Sequence, residues 1–126
     1  MSALRVFHLD TGGCGACAAE LWASVESSRE LRWAPGPAQA DVVALTGSLT
    51  PATRDAAVKL YHQFWEGRVP VVAIGRCAID GYPYGKLGVA ATPDIRVQDQ
   101  VENCPPLPAR IVDALSNAAA PRKAAP

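Results

Sequence analysis

Four cysteines hold most of the chemistry in this sequence. Cys14 and Cys17 stand three apart in TGGCGACAAEL, Cys77 follows the apolar run VPVVAIG, and Cys104 sits in ENCPPLP. Thiols so placed suit three uses. A Cys-x-x-Cys after a strand and at the mouth of a helix is the arrangement of a thioredoxin-like dithiol, whose thiolate the helix dipole stabilises. That use leaves Cys77 and Cys104 without a task. A structural zinc site ordinarily joins two short chelating pairs, each closing a tight knuckle around a tetrahedral ion. Here one pair is followed by two single cysteines. A 4Fe-4S cluster fits the spacing better, because a cube presents four corners in different directions and accepts ligands from separate loops. Gly12, Gly13 and Gly15, lacking a Cβ, would let backbone N–H groups approach the cluster sulfurs. Cys104 is followed by Pro105, as a cluster cysteine often is in ferredoxins.

Four ligands from distant parts of the chain need a scaffold that gathers them. Residues 3–9, ALRVFHL, form a strand-length run that gives way at Asp10 to the glycine-rich loop. From Ala18 to about Leu31, the positions of Leu21, Trp22, Val25 and Leu31 predict a helix. WAPGPAQA reads as a connection and DVVALTG as a buried strand. Thr50 as N-cap and Pro51 at the first helical position open a second helix, whose face carries Ala56, Leu60 and Phe64. VPVVAIG is another buried strand. Residues 79–93 are rich in Gly and Pro and read as an irregular surface excursion, DIRVQDQV alternates as a half-exposed strand, and Pro108 starts a last helix through Ile111, Val112 and Leu115.

Strands alternating with helices predict an α/β fold, a flavodoxin-like open parallel sheet with helices on both faces. In such sheets sites form beyond the carboxyl ends of the strands, where all four cysteines can meet. Residues 1–117 are expected to form one cluster-binding domain and residues 118–126, AAAPRKAAP, a disordered tail.

Composition narrows the function classes. A chain of 126 residues, 49% of them apolar, is the size of one domain with one core. Twelve basic and twelve acidic residues balance to zero, so the charge footprint of a nucleic-acid or anionic-lipid binder is missing. No stretch reaches the roughly 18 apolar residues of a membrane span, and the N-terminus carries no secretory pattern. A cytoplasmic location is expected, where thiols stay reduced and cysteine frameworks serve metal or redox chemistry.

In order along the chain, Gly13-Cys14-x-x-Cys17-x-x-Glu20, Gly47-Ser48-Leu49-Thr50, Gly75-x-Cys77-Ala78 and Cys104-Pro105-Pro106 resemble the small subunit of nickel-iron hydrogenases and its relative, the 20 kDa cluster-bearing subunit of respiratory complex I. Complex I subunits carry adjacent cysteines at the first position, whereas hydrogenases carry Cys-x-x-Cys as here. The chain has no cysteines for further clusters and no room for a second domain, so it is most similar to the one-cluster small subunit of energy-converting hydrogenases. The resemblance implies one 4Fe-4S cluster on Cys14, Cys17, Cys77 and Cys104. It also implies a hydrogenase-like large subunit and a ferredoxin-like or other iron-sulfur carrier as partners. Membrane subunits of a larger complex would hold the chain at the inner face of the cytoplasmic membrane. No catalysis by this chain alone is implied. A complex I-type role beside quinone, or a zinc-stapled interaction module, is the alternative.

Single residues carry further expectations. Gly13, Glu20, Thr50 and Arg76 are assigned to cluster tuning or a partner interface. Each of the last three also has a plainer use: Glu20 as a carboxylate favoured by the helix dipole, Thr50 as a cap, and Arg76 paired outward with Asp80. Asn103, Arg76 and Ala18 depart from the family pattern. His8 is expected to be a packed histidine rather than a ligand, and no paired acid and base or phosphate loop is visible.

Overall fold

The computed structural model describes residues 4–12, 15–80, 88–102 and 107–124. Five strands, β1 (Leu4–Asp10), β2 (Leu31–Trp33), β3 (Val42–Thr46), β4 (Val71–Ile74) and β5 (Asp99–Val101), pair in the order β2-β1-β3-β4-β5. Every pairing is parallel. Four helices connect and follow them: α1 (Ala16–Ser27), α2 (Pro51–Leu60), α3 (Arg76–Ile79) and α4 (Pro108–Ala124). This is the flavodoxin-like strand order expected from the sequence, in which the chain reverses its direction of travel across the sheet between β1 and β3.

The central strands are apolar throughout because both of their faces are covered. On β3, Val42 and Ala44 pack under α1 and α4 with Leu21, Val25, Ile111 and Leu115. The alternate residues Val43 and Leu45 pack on the other face with Leu49, Ala57, Tyr61 and Trp65. β4 divides in the same way, Val72 and Ile74 against Val71 and Ala73. Two cores thus sandwich one sheet, each large apolar side chain contributing about 1.5–3 kcal/mol on burial.

Local chemistry sets the helix ends. Thr50 caps α2, its hydroxyl accepting from Thr53 N at 3.4 Å with Pro51 in the first turn. α2 then passes into a π-helical turn, Tyr61–Trp65, which buries Trp65 and directs its indole N–H to Pro37 O at 2.9 Å.

Several boundaries differ from the sequence expectation. The first helix ends at Ser27, and Leu31 instead begins β2, where it pairs with Leu4 and is buried. Two serines end the helix: Ser27 Oγ donates back to Ala23 O, and Ser28 Oγ accepts from Glu30 N at 3.0 Å in a local turn. Trp33, read as part of a connection, closes that short strand. Of DIRVQDQV only Asp99–Val101 pairs with the sheet, while Ile95 turns into the core.

The described part of 79–93 is not merely superficial. Val89 and Thr92 are buried, Thr92 Oγ1 donates to Gly88 O at 3.1 Å, and Gly88 sits against the Ile79 carbonyl. Residues 81–87 lie outside the described residues. Past residue 117 the last helix continues to Ala124, with Ala118 and Ala119 buried against the sheet.

Candidate cluster site at the carboxyl edge of the sheet

The strand reversal places two turns side by side. β1 ends at Asp10 and β3 at Thr46, paired residues of the register. Asp10 Oδ1 accepts from Gly12 N at 3.0 Å and folds the chain back after β1. Thr11 fastens this turn to β3 by two bonds to Thr46 O, from its N–H at 3.0 Å and its hydroxyl at 2.9 Å. Ser48 N closes the pair, donating to Gly12 O at 2.9 Å.

Two glycines answer specific demands here. Gly47 has φ +85°, and a Cβ on it would lie 2.5 Å from Gly12 O; only glycine allows both the conformation and the approach. Gly15 has φ +88° and turns the chain directly into α1 without a side-chain cap.

Asp10, Gly15, Cys17, Ala18, Thr46, Gly47 and Cys77 line one pocket at this edge. Cys17 comes from the first turn of α1 and is 6% exposed; Cys77 comes from α3, after β4, and is 5% exposed. The structure therefore brings together two of the four predicted ligands from separate loops. Cys14, Cys104 and Gly13 lie outside the described residues. Among the described residues no group of three or more His, Cys, Asp or Glu side chains forms a metal-ligand set. Gly75 N donates to Val101 O at 2.7 Å, so β5 ends beside the turn that leads to Cys77; Cys104 is three residues further along the sequence than Val101.

The other expected residues stand outside this pocket. Thr50 is occupied as the α2 cap. Arg76 meets Asp80 at 3.4 Å, both side chains about half exposed. Glu20 lies on α1 at intermediate exposure, its carbonyl accepting from Ser24 Oγ. Asp10, Thr46 and Gly47 line the pocket without having been singled out as site residues. Their signal was the polar or glycine residue closing each of the two strands at the reversal.

Behind the pocket wall, His8 is part of a directed chain of hydrogen bonds. Trp22 Nε1 donates to His8 Nδ1 at 3.3 Å, which leaves the ring proton on Nε2 to be donated to Thr46 Oγ1 at 2.8 Å. Thr46 Oγ1 donates onward to Asp10 Oδ1, a longer contact of 3.5 Å. Burial pushes the His8 imidazole below its ordinary pKa of 6.5, and the Asp10 carboxylate pulls it partly back. As expected, His8 is a packed residue; its place one hydrogen bond from the pocket was not anticipated.

The family model described as NADH ubiquinone oxidoreductase, 20 Kd subunit, matches residues 14–118, from the first expected ligand into α4. The chain belongs to that family. Similar to this 20 Kd subunit family member is an uncharacterized protein of Methanocaldococcus jannaschii, 28% identical over 119 residues that cover 89% of this chain and 80% of the other. An NADH-quinone oxidoreductase subunit of Heliobacterium modesticaldum is 30% identical over 82% of this chain and 63% of its own. An NAD(P)H-quinone oxidoreductase subunit of Synechococcus elongatus is 34% identical over 63% of this chain but only 35% of its own. The 20 Kd subunit family member thus spans less than two thirds of these last two relatives. It is a member of a family of oxidoreductase-complex subunits. No helix among its described residues is long and apolar enough to cross a membrane.

Proposed function

We propose that the chain is the electron-transfer small subunit of a nickel-iron hydrogenase-like complex. One 4Fe-4S cluster on Cys14, Cys17, Cys77 and Cys104 would relay electrons between a catalytic large subunit and an iron-sulfur carrier subunit. The observation that carries this reading is the convergence of Cys17 and Cys77, from loops after different strands, on one pocket at the strand reversal. The site fits the group: soft thiol donors suit iron-sulfur chemistry, and Gly15, with nothing within 4 Å of where its Cβ would stand, leaves side-chain space free along the wall. The family typically holds such a cluster. When bound, it supplies a one-electron centre. The chain's own residues hold it, shield it and orient it toward partners.

The Cys-x-x-Cys spacing favours the hydrogenase-like complex. The names of the quinone oxidoreductase relatives support a second reading, in which the same cluster passes electrons toward quinone. In either case partner subunits, rather than a span within the described residues, would hold the chain at the inner face of the cytoplasmic membrane.

Anaerobically purified protein tests the proposal. About four irons per chain, with a low-temperature paramagnetic signal on reduction, are expected; stoichiometric zinc without iron would overturn it. With the large subunit bound, reduction of the cluster by hydrogen separates the hydrogenase-like complex from one that exchanges electrons only with quinone.

A further inference from the structure

We infer that the amino-terminal edge of the sheet, opposite the cysteines, holds a second binding site. It takes the phosphate group of a small phosphate monoester, clamped between Arg68 and Arg96 with the Tyr61 hydroxyl as a further donor. The site shares no residue with the pocket of Cys17 and Cys77, and the inference does not rest on the cluster reading.

A cavity of about 280 Å³ opens where the chain enters β4 and β5. Ligand pockets begin at roughly 300 Å³, so this one suits a small molecule rather than a dinucleotide. Its polar side chains are Tyr61, Arg68, Arg96 and Gln98, and Pro70 and Ala118 add apolar wall. Gln98 N donates to Val71 O at 2.7 Å, which ties the loop carrying Arg96 to the start of β4, beside Arg68.

Tyr61 distinguishes the cavity from a chance hollow. It opens the π-helical turn, closed by the bond from Glu66 N to Tyr61 O at 2.8 Å, and such turns recur at functional sites. Its side chain lines the cavity and is only 5% exposed, yet its hydroxyl has no hydrogen-bond partner among the described residues. Buried hydroxyls are normally paired, so an acceptor from a ligand completes this wall.

Charge fixes the kind of acceptor. Arg68 Nη2 donates to Gln63 O at 3.1 Å, which anchors the guanidinium at the end of the π turn and leaves its other N–H donors for the cavity. Arg96 has no ion pair among the described residues. The carboxylates closest in sequence do not neutralise the pair. Glu66 meets His62 at 3.1 Å, Asp99 Oδ1 accepts from Gln100 N at 2.8 Å, and Asp94 is exposed and does not line the cavity. One bidentate guanidinium saturates a carboxylate, whereas a phosphate monoester presents three terminal oxygens that two guanidiniums and a hydroxyl can share. Pro70, Ala118 and the Tyr61 ring then cover the organic part of the ester.

Calorimetric titration of the anaerobically purified full chain with phenyl phosphate is the test. Saturable one-site binding is expected, about tenfold or more tighter than that of benzoate, which carries a carboxylate on the same ring. Arg96→Gln should weaken it by about tenfold or more, and Tyr61→Phe, which keeps the ring in the core, by about threefold to tenfold. Amide NMR shifts on adding phenyl phosphate to the wild type should centre on Arg68, Arg96 and Gln98, a reading that needs no variant to fold. Vesicles containing phosphatidic acid separate the sources: capture that phenyl phosphate reverses identifies a lipid headgroup, no capture identifies a soluble ester, and either leaves the site standing. No saturable binding, benzoate binding as tightly, an affinity unchanged in Arg96→Gln, or shifts centred elsewhere would overturn the inference, whatever the iron content of the protein.

Discussion

Gly47 and Gly12 touch backbone to backbone: a Cβ on Gly47 would lie 2.5 Å from Gly12 O, and Ser48 N donates to that same oxygen. The turns after β1 and β3 are therefore fitted to each other with no intervening side chain. Gly47→Ala should lose the relaxed φ of +85° and push the turns apart, costing about 2–3 kcal/mol. Chemical denaturation of the purified chain checks the stability, and iron content after anaerobic preparation should fall with it.

Ser48 Oγ is buried and has no hydrogen-bond partner among the described residues. An unsatisfied buried hydroxyl is a cost that alanine removes. Ser48→Ala is expected to raise stability by about 1 kcal/mol, read as a higher denaturation midpoint. A clear loss would contradict the absence of a partner.

The half-buried imidazole of His8 makes stability depend on pH. Its folded pKa lies below the ordinary 6.5, burial being the larger cause, so the unfolded chain takes up this proton first as pH falls. The stability linked to His8 is complete above 6.5 and is lost as pH drops from there through the lower folded value. Denaturation curves at pH 7.5, 6.5 and 5.5 should show this decline, and His8→Gln should flatten it.

Thr50 and Arg76 separate structural support from effects on the site. Thr50→Ala removes the α2 cap and should cost about 1 kcal/mol with no change in iron content.

Arg76→Ser breaks a half-exposed pair with Asp80 at 3.4 Å. It should alter stability by less than about 0.5 kcal/mol and move the midpoint potential only slightly. Binding to the proposed large subunit, followed by co-purification, is where its loss should register.

The sheet was legible because β3 and β4 are apolar runs of a length and flanking that only a strand covered on both faces requires. Cys17 and Cys77 were legible as residues that follow strand ends. What escaped were features set by distant contacts. Leu31 continues an apolar spacing begun at Leu21, yet its pairing with Leu4 decides its conformation. Ala118 and Ala119 look like tail composition until the sheet beneath them is present to be covered. The link from His8 to Thr46 joins residues 38 apart, and no spacing along the chain announces it. Two of the four expected ligands, Cys14 and Cys104, lie outside the described residues, and their assignment to the site is a proposal from their order along the chain.

Both outer strands of the sheet, β2 and β5, are only three residues long. Rows of open backbone groups that short offer little template for another strand, and natural sheets use such brevity to discourage edge-to-edge growth. This fold therefore cannot easily be built into a larger machine by extending its sheet across subunits. Neighbours must recognise it through side chains and loops, so that a change of partner can proceed by surface substitution while the strand ladder stays as it is.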